Sequence, residues 1–294
     1  MKILSCGAGM QSTALALMSC EKKMLMAKMS RRNVQGQLSL FSDEPYPEVP
    51  IYDCIIFCNL GYEAPWVYRQ VDFIRKACAK AEIPFVVLNT HLYDDYINNF
   101  GKSRVVSAPF WTIGEDGRKA KLRRNCTIDK KILAIQKYVR WELLGYAKGQ
   151  RLKAEDIQGH EMHIGFSWEE RRRMFDSYNP MFVNRFPLVD MGAERPDNYK
   201  YILEKWGLET RASACCICPF HQNYFFKFLK ENHEEEYNAV VRLDALLEEK
   251  QPLTPIRSEM FISRSRKRII ELTDEECDDA QYFLYNGKRV WNGF

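Results

Sequence analysis

The chain predicts an α/β protein, an open and mostly parallel sheet with helices on both faces, plus a smaller C-terminal helical portion. Three observations carry that expectation. A short apolar run opens the sequence and passes through a glycine-bearing turn into a helix, further apolar runs alternate with amphipathic stretches, and the alternation gives way to a charged, helical pattern toward the C-terminus. Strands alternating with helices pair in parallel, because each crossover needs a helix's length of chain.

In order, residues 2–5 form the first strand, Gly7 and Gly9 the turn, and a helix begins near Ser12 and carries Leu15, Leu17 and Met18. Residues 30–50, polar and holding Pro45, Pro47 and Pro50, predict a long inserted loop. Apolar runs at 53–58, 85–88 and 162–166 predict strands, and residues 66–81 and 130–144 predict amphipathic helices. From Met191 onward the pattern is helical and charged, so the expected division is an α/β domain over residues 1–190 and a C-terminal helical portion over 191–294, built around a cysteine cluster. No internal repeat or low-complexity tract is visible.

With 294 residues, 46% of them hydrophobic, the chain can bury a full core. Its net charge of +4 permits a nucleotide or nucleic-acid partner without requiring one. The absence of a signal peptide at Met1, and of any apolar run approaching the ~20 residues of a membrane span, predicts a soluble cytoplasmic protein with no membrane partner. In that reducing setting the ten cysteines do not suggest a disulfide scaffold, and the group Cys215, Cys216 and Cys218 suggests a metal or redox site. Cys6, Cys54, Cys58 and Cys78, on predicted core elements, read as small buried hydrophobes.

The segment Gly7-Ala8-Gly9-Met10-Gln11-Ser12-Thr13 lies between the first strand and first helix. Free backbone N–H groups and the positive end of the helix dipole favour an anion there. It lacks the Gly-Lys-Ser/Thr ending of a Walker A loop and the third glycine of a dinucleotide fingerprint. Arg123, Arg124 and Lys130 offer cations suited to a polyphosphate or nucleic-acid phosphate, although such a segment is also an ordinary solvated surface. Within Glu169, Glu170, Arg171, Arg172 and Arg173, just after the run at 162–166, Glu170 and Arg172 are candidate metal and phosphate contacts, since loops at that end of a parallel sheet face the ligand.

The loop resembles the PP-loop pattern Ser-Gly-Gly-x-Asp-Ser, matching at Gly9 and Ser12 and departing at Gly7, Ala8 and Gln11. The ordered set LSCGAGMQSTALALM, IIFCNLGYEAPWVYRQVDFI, RRNCTIDKK, HIGFSWEERRRM, NRFPL and SACCICPFH, spanning residues 3–221, is similar to the phosphoadenosine-phosphosulfate-reductase-like family of PP-loop ATP pyrophosphatases. The resemblance implies an adenine-nucleotide α-hydrolase-like fold with ATP and Mg2+ at the carboxyl ends of the strands. Ser5, Gly7, Ala8, Gly9, Gln11, Ser12 and Thr13 would hold phosphate. Asn59, Gly61 and Glu63 would line the nucleotide, Asn59 replacing the family's common Asp, and Arg123, Arg124, Lys130 and Arg172 would act on the phosphates.

The cysteines bring alternatives. Cys215 and Cys218, with two residues between them on one turn, can reach one metal. Cys126 falls where cluster-bearing sulfonucleotide reductases place a cysteine pair, with Asn125 in the other position. With Cys216 adjacent and Cys277 near the C-terminus, four thiolates would hold a 4Fe-4S cluster, while a Cys3His set using His221 would hold zinc. Separately, Gln37, Leu38, Leu40 and Phe41, within Gln-Leu-Ser-Leu-Phe, resemble the pentapeptide with which bacterial proteins dock on the replicative sliding clamp. The alternative is a loop that anchors those side chains on its own core.

Three functions follow. The first is an ATP pyrophosphatase that adenylates a nucleic-acid group so that a sulfur donor, such as a cysteine desulfurase, can displace AMP; DNA phosphorothioation is the leading process and tRNA thiolation its variant. The second is a sulfonucleotide reductase, for which Cys277, between acidic residues, is a poor nucleophile. The third is a clamp-associated nucleic-acid-binding module without catalysis, suggested by Gln11 and Asn59.

Overall fold

A computed structural model describes residues 1–33, 46–105 and 107–291. The clamp-like segment at Gln37, Leu38, Leu40 and Phe41 lies outside them. The elements in order are β1 (Lys2–Cys6), α1 (Met10–Asn33), β2 (Cys54–Asn59), α2 (Pro65–Lys80), β3 (Phe85–Asn89), α3 (Leu92–Asn99), β4 (Trp111–Ile113), β5 (Lys119–Lys121), α4 (Asn125–Thr127), α5 (Leu133–Tyr138), β6 (His160–Ile164), β7 (Phe182–Arg185), α6 (Pro187–Asp190), α7 (Arg195–Trp206), α8 (Asn223–Asn232), α9 (Glu234–Lys250), β8 (Glu259–Phe261), β9 (Tyr282–Tyr285) and β10 (Lys288–Trp291). None of the described helices is long and apolar enough to cross a membrane.

The expected parallel sheet is present: five strands, all parallel, in the order β3-β2-β1-β6-β7, flanked by helices. Two compact units interleave along the chain, one of Met1–Phe57, Tyr68–Val87 and Gly145–Arg211, the other of Cys58–Val67, Leu88–Leu144 and Ala212–Phe294. The contacts therefore do not divide once, after residue 190. The first unit keeps α7, and the second begins as early as Cys58.

In the first unit β1 pairs with β2 (Ile3 opposite Cys54) and with β6 (Ile3 opposite Met162). Ile3, Leu4, Ile55, Ile56 and Phe57 are buried, the unbroken apolar run of strands covered on both faces. The front half of α1 is enclosed all round, Ala14 through Met18 and Cys20 being buried, so it carries no single apolar stripe. Farther along, Glu21 accepts from the hydroxyls of Tyr201 at 2.9 Å and Tyr46 at 3.2 Å, tying α1 to α7. α7 starts with a capping box between Glu194 and Asp197 and stops at Gly207 (φ 67°).

The second unit departs further from expectation. It holds an antiparallel sheet of order β5-β4-β8, helices α8 and α9, and a β9–β10 hairpin, so its C-terminal part is not wholly helical. The hairpin turns through Asn286 (φ 47°) and Gly287 (φ 73°), the left-handed pair that suits the strand twist. The helix expected over residues 130–144 is interrupted by π turns at Ile128–Ile132 and Val139–Leu143. Each widened turn changes which side chains share a face.

His163 on β6 gives the sheet a pH response. Its Nε2 lies 3.2 Å from Glu161 Oε2, its ring meets Tyr52 edge-on at 5.1 Å, and its Nδ1 is buried with no partner among the described residues. Burial lowers its pKa, outweighing the pull of Glu161. The unfolded chain, with histidine near 6.5, then takes up the proton first as pH falls. Stability is thus present above pH ~6.5 and is lost as pH drops toward the folded value. In urea unfolding at pH 7.5 and pH 5, His163→Gln is expected to lose less stability between the two than wild type; equal losses would refute the assignment.

Candidate functional site

From β1 the sheet runs to β2 and β3 on one side and to β6 and β7 on the other. The carboxyl end of β1 is therefore where the winding reverses, the place at which open parallel sheets bind ligands. The chain leaves β1 at Cys6, turns through Gly7, Ala8 and Gly9, and enters α1 at Met10. The first N–H groups of a helix have no intrahelical acceptor and point at whatever lies before it.

The loop is braced from several directions within the first unit. Ala8 takes a left-handed φ of 51°, costly for a residue with a Cβ. Buried Gln70 holds it: its amide donates to the Ala8 carbonyl and to the Arg211 carbonyl at 3.1 Å, and its oxygen accepts from the Arg211 N–H at 2.7 Å. The Ser12 hydroxyl donates to the Gly9 carbonyl at 3.3 Å, and the Cys6 sulfur lies 3.9 Å from it. Burial pushes the Cys6 thiol up to about 11, so it stays protonated. Ser5 lies on β1 opposite Ile56, and the Thr13 hydroxyl is buried without a partner among the described residues.

Gly165, just past β6, was not singled out by sequence. A Cβ there would lie 2.9 Å from Ser12 N and 3.1 Å from Ser12 Cα, so only glycine lets this segment reach the first turn of α1. The next turn, Trp168–Arg173, also faces the loop. Gln11 donates from Nε2 to Glu170 Oε2 at 3.1 Å and lies 3.4 Å from Ser167 Oγ. Where the resembling pattern has an acid on the loop, this chain has an amide that reaches an acid on a neighbouring turn.

Both Glu170 oxygens are engaged, since Oε1 pairs with Arg173, so Glu170 does not stand free as a metal ligand. Arg171 lies over Trp168 at 4.5 Å and Arg173 over Phe166 at 4.6 Å, whereas Arg172 is exposed with no carboxylate partner among the described residues.

The remaining candidates belong to the second unit. Asn59 caps its turn: Oδ1 accepts from the Gly61 N–H at 3.0 Å, and Nδ2 donates to Asn89 at 3.1 Å. Gly61 needs its φ of 104°, which few other residues tolerate. Glu63 is buried and bridges Cys215 through the backbone. Burial raises the Glu63 pKa against the pull of Lys131. At Lys131, burial works against the ammonium, but Glu63, Cys215 and Cys58 outweigh it and hold the charge. Lys130, the lysine expected from sequence, has its ammonium taken by Asp95 and, at 2.8 Å, by the Thr90 carbonyl. The π turn at Ile128–Ile132 sets which lysine faces Glu63, and apolar spacing does not announce it.

The thiols divide. Burial raises the thiols of Cys215 and Cys218, and neighbouring thiols add to it, Cys218 and Cys216 acting on Cys215 and Cys126 acting on Cys218. Cys216 is fully buried, and burial, Glu63 and Glu236 push its thiol up. Cys277 sits instead among Lys227, Asp274, Glu276 and Asp279. His221 donates from Nε2 to the Cys215 carbonyl at 2.8 Å, which leaves the lone pair on Nδ1, buried and without a partner among the described residues, and its ring stacks on Phe225 at 3.7 Å. Among the described residues no three Cys, His, Asp or Glu side chains gather in metal-binding geometry. None of the other candidate thiols is among the charged neighbours that act on Cys277. Cys277→Ser is accordingly expected to leave the iron or zinc content of purified protein unchanged by elemental analysis; a stoichiometric loss of metal would restore Cys277 as a ligand.

No protein-family model and no curated protein matches the chain.

Proposed function

We propose that the chain is a PP-loop-type ATP pyrophosphatase, which activates a nucleic-acid group for sulfur incorporation, with DNA phosphorothioate modification as the process. The observation that carries this reading is the small-residue turn at the carboxyl end of β1, where the sheet reverses and α1 begins. An oxygen of the acceptor attacks the α-phosphorus of ATP, the bond to the bridging oxygen breaks, and pyrophosphate leaves with the electron pair. The acceptor oxygen, now part of an AMP ester, leaves with AMP when the outer sulfur of a donor persulfide, such as that of a cysteine desulfurase, attacks; a second thiol then cleaves the S–S bond, freeing the sulfur on the acceptor and leaving a disulfide. In this scheme the loop N–H groups, Arg172 and Ser12, its hydroxyl turned from the Gly9 carbonyl, hold phosphate oxygens, and Gln70 and Gly165 keep the loop in place.

The reductase alternative needs a mobile thiolate, and Cys277 is buried, with burial and Asp279 raising its pKa. The expected products from ATP are AMP and pyrophosphate, released faster with DNA. Ser12→Ala should slow release about tenfold, the worth of one charge-assisted hydrogen bond. Formation of ADP and phosphate instead, or no turnover of ATP with or without DNA, would overturn the proposal.

A further inference from the structure

In the second unit β5 is an edge strand, and five of the seven residues 118–124 are Lys or Arg. Lys119, Lys121, Arg123 and Arg124 are exposed and have no carboxylate partner among the described residues, whereas Arg118 has Asp116 at 3.7 Å. Two of these cations rest on an aromatic face, Lys121 5.0 Å and Arg124 5.3 Å from the Phe220 ring centre. Charge on an edge strand can serve only to block pairing with another strand. Here a second feature adjoins it.

A cavity of about 410 Å3 lies beside the charged segment, within the size range of small-molecule sites. Leu122, between exposed Lys121 and Arg123, is part of its wall, with Tyr96, Phe110 and Leu253. Wall and charged segment share backbone bonds: the Leu122 N–H donates to the Phe110 carbonyl at 2.9 Å, and the Ser107 hydroxyl donates to the Arg123 carbonyl at 2.9 Å. Exposed Lys102 and Arg104 add two cations to the lining, which includes no carboxylate.

An apolar, partly aromatic hole beside a row of uncompensated cations suits a nucleotide, base to the hole and phosphates to the row. We infer that this face binds single-stranded DNA, one unstacked base entering the cavity while the flanking phosphates lie along Lys119, Lys121, Arg123 and Arg124. The choice of DNA rests on the function proposed above; the surface itself does not require ATP chemistry.

The test is fluorescence anisotropy of a labelled single strand of about 16 nucleotides with the full chain and no ATP. Lys119→Ala combined with Lys121→Ala should flatten the dependence of log affinity on log salt by about 1.4, two phosphate contacts' worth. Leu253→Trp fills the cavity at a side chain that is 64% exposed, so folding is not at stake. It should weaken binding about tenfold with the salt slope unchanged, and should remove the emission change of a 2-aminopurine base in the strand. Both variants should release pyrophosphate from ATP at the wild-type rate without DNA. Absence of strand binding in low salt, unchanged affinity and slope in the variants, or tighter binding of duplex DNA, RNA or polyglutamate would each overturn the inference. Pyrophosphate release persisting in such a case would leave the proposed function standing, and strand binding without pyrophosphate release would do the reverse.

Discussion

Gly165→Val is expected to reduce pyrophosphate release about a hundredfold or more while the protein remains folded. The atoms a Cβ would strike, Ser12 N at 2.9 Å, Ser12 Cα at 3.1 Å and the Gln11 carbonyl carbon at 3.2 Å, are all backbone, so no flexible side chain can give way. The first turn of α1 must move, or the segment after β6 must. Overpacking of this kind costs about 1–3 kcal/mol of stability. A folded protein survives that cost but turnover does not, because a displacement near 1 Å of groups that orient a reacting phosphate costs roughly a hundredfold in rate. Gly165→Ala, which brings the Cβ clash without further carbons, should fall between the two. The measurement is ATP turnover with circular dichroism as a folding control, and a well-folded Gly165→Val protein with wild-type turnover would show that the phosphate site is elsewhere.

Asp244→Ala should cause one of the largest losses of stability in the second unit, about 3–5 kcal/mol. The carboxylate of Asp244 on α9 is buried, and burial raises its pKa, while the Ile269 N–H at 2.8 Å and Arg268 at 3.5 Å draw it down. Removing the carboxylate strands the Ile269 amide and takes from the guanidinium the more buried of its two carboxylates, leaving Glu248 at 3.4 Å; the guanidinium also donates to the Met260 carbonyl at 3.0 Å on β8. β8 pairs with β4, so the damage should reach the sheet that carries the basic edge, and DNA affinity should fall along with the urea midpoint. Asp244→Asn keeps an acceptor for Ile269 and should lose less. A midpoint for Asp244→Ala within error of wild type would show that the ion pair contributes nothing net.

The parts of the site that were legible in sequence are the local ones. The strand, small-residue turn and helix at residues 2–18 are adjacent in the chain, and both the apolar pattern and the motif report them directly. Gln70, Gly165 and Lys131 were not legible, because each acts on a partner distant in sequence and resembles any helical glutamine, loop glycine or surface lysine. The sheet β5-β4-β8 escaped for another reason: Lys-Ala-Lys has no apolar alternation, and its pairing comes from β4. The Asn286-Gly287 turn did carry a hairpin signal, but the charged surroundings of the C-terminal region favoured a helical reading.

The interleaving of the two units has a consequence for the timing of synthesis. β1, β2 and β3 emerge first, but the strand that pairs with the other side of β1 is β6, from residue 160 onward. Until then one long side of β1 has its N–H and C=O groups unmatched and its apolar residues uncovered, the condition in which nascent chains stick to one another. Translation at ~5–20 residues per second covers the stretch from the end of β3 at residue 89 to the end of β6 at residue 164 in roughly 4–15 s. For that interval the nascent polypeptide depends on chaperones or on slow encounter with its neighbours, and a stalled ribosome anywhere in this stretch would release an aggregation-prone half-sheet.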